Sequence, residues 1–134
     1  MKLITRDTDY AIRAVFFIAK KKGRIVSVPE LVKRLKIPGP FLRKLLQILN
    51  KEGILLSQKG LGGGFLLARP AKRIFLMDLI KVFQGGLRVN ECFLKRVPCP
   101  NTETCILRKK IVNIENHVIH DISSITVASL LKGA

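Results

Sequence analysis

Cys92, Cys99 and Cys105 are the only thiols of the chain, and they fall seven and six positions apart in one stretch that also contains Pro, Asn and Thr. Structural cysteines usually scatter through core helices and strands, so this grouping points to thiol chemistry. Iron–sulfur clusters bind Cys thiolates, in some sites with a nitrogen or oxygen ligand replacing one of them. Zinc sites favour cysteines about two to four residues apart, a spacing absent here. A redox-sensing thiol needs cations near the sulfur, which Lys95, Arg96 and Arg108 could provide. Three inert thiols are the remaining reading. His117 and His120, the only histidines, lie well past Cys105 and read as surface or interface residues of a helix. Asp7 and Asp9 open the first helix, where acidic side chains suit its positive end.

A second set of residues could bind an anion. Lys59-Gly60-Leu61-Gly62-Gly63-Gly64 separates two short apolar runs, Ile54 to Gln58 and Phe65 to Ala68. So much glycine permits positive φ and close backbone approach to another molecule. It is not a nucleotide-phosphate loop, because no Lys-Ser or Lys-Thr follows the glycines and the dinucleotide spacing is absent. An ordinary hairpin is one reading. Lys59 and Arg69 flank the loop and favour a hairpin that lies against nucleic acid.

The elements that would position this loop precede it. Ser27 with Glu30 three residues on reads as a capping box, Pro29 sits in the first turn where a missing N–H does little harm, and Leu31, Val32 and Leu35 form one stripe. Ile37-Pro38-Gly39-Pro40 breaks that helix. A second helix follows with Leu42, Leu45, Leu46 and Leu49 inward and Arg43, Lys44, Gln47 and Asn50 outward. Two short helices joined by a tight turn, the second with a basic outer face, are a helix-turn-helix, whose second helix presents its amino-terminal side chains to base edges in the major groove. The glycine hairpin directly after it reads as a wing.

The bulk numbers agree. The chain has 134 residues, 48% of them apolar, and its net charge is +16. That length gives one compact domain with at most a small appendage. So much positive charge on a short chain calls for an anionic partner, most often nucleic acid; ribosomal and membrane-surface proteins share the feature. The apolar run Ala14 to Ala19 is far shorter than the roughly 18 residues a spanning helix needs, and its flanks are not those of a signal peptide. A cytoplasmic protein without membrane association is expected. No nucleophile–base pair, phosphate loop or carboxylate pair suggests an enzyme.

Three further helices complete the pattern. Thr5 to Gly23 is apolar nearly all round, so buried or shared with a partner. Leu76, Leu79, Ile80 and Phe83 form a short helix ending at Gly85-Gly86. After a loop of about twenty residues, long for a compact domain, Ile111, Ile114, Val118, Ile122 and Ile125 mark a long helix with a narrow β-branched seam, read as a dimerisation helix. The expected fold is mainly α with a small β-hairpin wing. A winged helix-turn-helix DNA-binding domain occupies residues 1–84, a cysteine-containing sensor loop 85–105, and a dimerisation helix and tail 106–134.

This pattern resembles the Rrf-type bacterial transcription regulators. The match rests on Asp9-Tyr10-Ala11-Ile12-Arg13, Phe41-Leu42, Gly53-Ile54-Leu55, the stretch Lys59 to Phe65 with Leu67-Ala68-Arg69-Pro70, the cysteine triplet and Ser124 to Ala128. It covers essentially the whole chain. The resemblance implies a homodimer on a palindromic double-stranded operator, contacted by Ser27, Pro38, Pro40, Phe41, Arg43 and Lys44 and, in the wing, by Lys59, Gly60, Gly62 and Gly63. It also implies an iron–sulfur cluster on Cys92, Cys99 and Cys105, usually 2Fe–2S with 4Fe–4S also found; a purified apo form lacking it is compatible. Where one branch has a histidine three positions after its last cysteine, this chain has Arg108. A second branch takes its fourth ligand from an Asp of the other subunit's first helix, which is Asp9 here. Cluster-free members answering to a protein partner or small effector are the alternative, and a basic RNA-binding or structural protein lies further off.

Overall fold

The computed structural model describes residues 2–88 and 104–133. In chain order it has α1 (Arg6–Lys20), α2 (Val28–Leu35), α3 (Gly39–Lys51), β1 (Leu55–Gln58), β2 (Gly64–Leu67), a single 3-10 turn (Ala71–Arg73), α4 (Leu76–Gln84), α5 (Ile106–Ser123) and α6 (Val127–Lys132). The fold is mainly helical with one antiparallel hairpin, as expected.

α1 is capped by Thr5, whose hydroxyl accepts from the Thr8 backbone N–H. Ala11, Ala14, Val15, Ile18 and Ala19 are buried at the centre of the main core. Its outer aromatics find cover within the chain: the Lys20 and Lys21 ammonium groups each lie 4.9 Å from the ring centroids of Phe16 and Phe17.

α2 begins where Ser27 predicts, with its hydroxyl accepting from the Glu30 N–H. The capping box is half built, because the Glu30 carboxylate turns outward to Arg24, at 2.8 Å. α2 ends on Lys36 in the left-handed conformation, φ 56°. The break before α3 is shorter than expected. Gly39 and Pro40 already belong to the first turn of α3, and Pro38 is its cap residue without a side-chain hydrogen bond. A missing cap costs about 1 kcal/mol, whereas burying each of Leu42, Leu45, Leu46 and Leu49 contributes about 1.5–3 kcal/mol. Packing, not capping, holds α3.

β1 and β2 pair with Leu55 opposite Leu67 and Gln58 opposite Gly64. A one-residue bridge joins the hairpin to the segment before α2: Val26 N donates to the Phe65 carbonyl at 2.9 Å and Phe65 N to the Val26 carbonyl at 2.8 Å. α4 ends on Gly85 at φ 75°, the stop foreseen from the Gly85-Gly86 pair.

The C-terminal helix differs from expectation in two ways. It stops at Ser123, and Ile125 falls in a turn before the short helix α6. Its seam is also divided. Ile122 is buried and, with Val118, Ile119 and Ile125, packs on Leu76, Ile80 and Leu87 in a second core. Ile106, Leu107, Val112 and Ile114 stay exposed. The tail then returns to pack on α1 and the 3-10 turn. Leu76 N donates to Ile125 O and Val127 N to Ile74 O, both at 2.9 Å, and Val127 and Leu131 join the main core.

Candidate nucleic-acid interface

The leucine stripe of α3 faces the core, so the opposite face is presented outward. Arg43, Lys44 and Gln47 are exposed there, and Asn50 is half-buried. Pro38 and Pro40 are exposed at the helix's amino end, and no acidic residue occupies its first turn. Phe41 is held by two side chains of α1. Tyr10 meets its ring edge-on with centroids 5.7 Å apart, and the Arg6 guanidinium lies 5.2 Å from its centroid. Phe41 thus packs α3 against α1 and shows only part of its ring outward.

The hairpin loop is shaped by its glycines. Gly60 and Gly62 take φ of 97° and 73°, and Gly63 N donates to Gly60 O at 3.0 Å to close the turn. At Gly63 a Cβ would overlap the Gln58 carbonyl, and at Gly64 the Val26 carbonyl. The glycines therefore serve the turn and the close approach of three backbone segments. Residues 59–62 are exposed, with Leu61 fully so at the tip. Arg69 does not flank this tip. It follows β2 beyond the Leu55–Leu67 pair, at the far end of the hairpin, where its buried Nε lacks a hydrogen-bond partner.

Ser27 caps α2 with its hydroxyl, is half-buried, and sits next to Val26 in the bridge to the hairpin. The structure brings α2, α3 and the wing into one unit through this bridge. It places Ser27 at the junction, Pro38, Pro40, Phe41, Arg43 and Lys44 along the amino half of α3, and Lys59, Gly60, Gly62 and Gly63 in the wing. Sequence reasoning missed Arg6, because nothing in local periodicity shows that the start of α1 crosses the start of α3.

Of the thiol set, Cys105 is half-buried and free at the amino end of α5, while Cys92 and Cys99 lie outside the described residues. Asp9 is half-exposed in the first turn of α1 and pairs with Arg13 at 3.1 Å. Asp7 lies 3.7 Å from Arg6. His117 and His120 are exposed on α5. No helix among the described residues is long and apolar enough to cross a membrane.

Comparison with known proteins gives one consistent result. The family model Rrf2, described as an iron-dependent transcriptional regulator, matches residues 4–133. The chain is 30% identical over 105 residues to the HTH-type transcriptional regulator NsrR of Shouchella clausii, covering 78% of this chain and 67% of that protein. Its fold matches CymR, the global cysteine regulator of B. subtilis, with a TM-score of 0.83 at 22% identity over 100% of this chain and 99% of that one. It matches the IscR of T. potens with a TM-score of 0.77 at 25% identity, covering 99% of this chain and 88% of that one. The chain belongs to the Rrf2 family of transcriptional regulators, which are DNA-binding proteins rather than enzymes.

Proposed function

We propose that the protein acts as a homodimer on a palindromic operator in duplex DNA and adjusts its binding through an iron–sulfur cluster. The observation that carries the DNA-reading part is the pairing of a buried leucine stripe on α3 with an exposed Arg43 and Lys44 on its other face, beside a hairpin whose exposed loop begins at Lys59. α3 lies in the major groove. Arg43 reads guanine through its O6 and N7 edge, and Lys44 contacts bases or phosphates. Lys59 and the backbone of Gly60, Gly62 and Gly63 follow the minor groove or the adjacent phosphates. Phosphate neutralisation supplies most of the affinity, in keeping with a net charge of +16. Residues 1–84 carry the reading head and 106–134 the dimer contact, where exposed Ile106, Leu107, Val112 and Ile114 form an open apolar stretch of α5.

Cys92, Cys99 and Cys105 fit a cluster by their donor type, three thiols within 14 residues with one of them half-buried where α5 begins. Asp9 supplies an oxygen ligand from the partner's first helix. A bound cluster brings redox chemistry and a site open to oxygen or nitric oxide at the non-cysteine ligand. The three cysteines belong to the sensor loop 85–105, between α4 of the reading head and the dimer helix, so a change at the thiols is felt between the two heads.

The test is selection from a library of randomised duplexes, followed by anisotropy titrations. Enrichment of an inverted repeat, with half-sites about one helical turn apart, supports the proposal. Equal retention of duplex, single strand and structured RNA would make the chain a general nucleic-acid binder instead.

A further inference from the structure

One cation beside α3 has no role in the contacts proposed so far. Arg6 is the first residue of α1, and its guanidinium lies 5.2 Å from the centroid of Phe41, the third residue of α3. The side chain is 68% exposed. The guanidinium is drawn to the face of the ring as a cation–π contact while most of the side chain stays in solvent, where its donors can reach an anion. The neighbouring carboxylate does not occupy it: Asp7 approaches Nε only to 3.7 Å, beyond hydrogen-bond range, and an exposed pair of that kind is weak.

The backbone that carries Arg6 is tied to the last residue of α4. Thr5 N donates to Gln84 Oε1 at 3.1 Å, and the Thr8 hydroxyl donates to the same oxygen at 2.8 Å. Gln84 Nε2 donates in turn to the Leu3 carbonyl at 3.2 Å. Tyr10, one turn further along α1, also packs on Phe41, with ring centroids 5.7 Å apart. A cation held this way loses little freedom on meeting an anion, and it moves with α3. The first turn of α3 offers no acidic side chain to repel that anion.

We propose that Arg6 is a phosphate contact of the reading head, held by the ring of Phe41 so that it grips the DNA backbone beside the bases that α3 reads. The inference rests on the proposal that α3 reads duplex DNA. A guanidinium fork suits a phosphate. Its position on α1, beside rather than along α3, puts it at the groove's edge rather than over the base pairs.

The probe is the duplex that the wild-type protein itself enriches, with a scrambled duplex as reference, both titrated from low to high salt. Arg6→Ala is expected to weaken binding several-fold on both duplexes alike. It should also reduce the slope of log K against log salt by about 0.9 per protomer, the value for one lost phosphate contact. Arg6→Lys should keep most of the slope. Thermal melts of both variants report whether the fold is intact. An Arg6→Ala slope equal to that of wild type overturns the proposal. So does an unchanged slope with an altered selected sequence, which would make Arg6 a reader of bases. If wild type prefers no duplex at all, the DNA-reading proposal fails first, and that result is distinct from either.

Discussion

The Thr8 hydroxyl donates to Gln84 Oε1 at 2.8 Å across 76 positions of sequence. Thr8 is the only buried polar residue among those described. Through this bond the first turn of α1 is tied to the last residue of α4, directly before Gly85 and the segment that leads to the cysteines. A buried hydroxyl left without its partner costs about 1–3 kcal/mol. The Thr5 hydroxyl stays 3.0 Å from the Thr8 hydroxyl, but Gln84 Oε1 also accepts from the Thr5 N–H, so Gln84→Ala removes an acceptor from two donors and should destabilise by about 1–3 kcal/mol in a denaturant titration. Thr8→Val, which removes the donor while keeping the shape, should cost less, about 0.5–1.5 kcal/mol. Equal and negligible effects would show that water replaces the bond at no cost.

The wing offers a second contrast. Gly64 and Gly60 are both glycines at positive φ, 156° and 97°, but only Gly64 is crowded, by the backbone of Val26. Gly60→Ala should cost about 1–2 kcal/mol, the penalty of a Cβ in the left-handed region, and leave the hairpin in place. Gly64→Ala should break the Val26–Phe65 bridge, cost clearly more, and detach the wing from α2. Amide exchange at Val26 and Phe65 is the measurement, with faster exchange expected in Gly64→Ala alone.

Ile114 is 51% exposed on α5, and Leu107 is 69% exposed. An obligate dimer interface buries on the order of 2,000 Å² or more and is rich in such side chains. Leu107→Asp with Ile114→Asp should give a monomer by sedimentation equilibrium, with the helical circular dichroism of α1 to α4 retained. Dimers that survive both substitutions would move the interface elsewhere on the molecule.

Protein purified without oxygen should be brown, with visible absorption and with iron and sulfide in equal amounts. Cys99→Ala should abolish the colour. Asp9→Ala should leave a weaker or more oxygen-sensitive chromophore. The Asp9–Arg13 pair is half-exposed and worth only about 0.3–0.5 kcal/mol, so it does not hinder Asp9 from serving as a ligand. A colourless protein, even after reconstitution with iron and sulfide, would favour the cluster-free regulator that answers to a partner or effector.

Local signals carried most of the reading head. The leucines of α3, the hydroxyl of Ser27 and the glycines of the hairpin each act within a few residues, so spacing alone located them. Contacts between distant segments left no such trace. The Val26–Phe65 bridge is a strand one residue long, too short for an alternating pattern. Arg6 meets Phe41 only because α1 crosses α3. The seam of α5 looked continuous through Ile125, because Ile122 and Ile114 repeat at the same period although one faces α4 and the other solvent. α6 is six residues long and was indistinguishable from a tail, since its helical form depends on Val127 and Leu131 docking into the main core.

The most direct test of the central claim is binding of wild type, Arg43→Ala and Lys44→Ala to the selected duplex and to its scrambled counterpart at one fixed salt concentration. A preference of at least about 10³-fold by the wild type is predicted. Arg43→Ala should lose about 1–3 kcal/mol of that preference, centred on one guanine of each half-site, and Lys44→Ala should weaken binding. Equal affinity of the wild type for both duplexes, with Arg43→Ala indistinguishable from it, would contradict the claim that α3 reads DNA sequence.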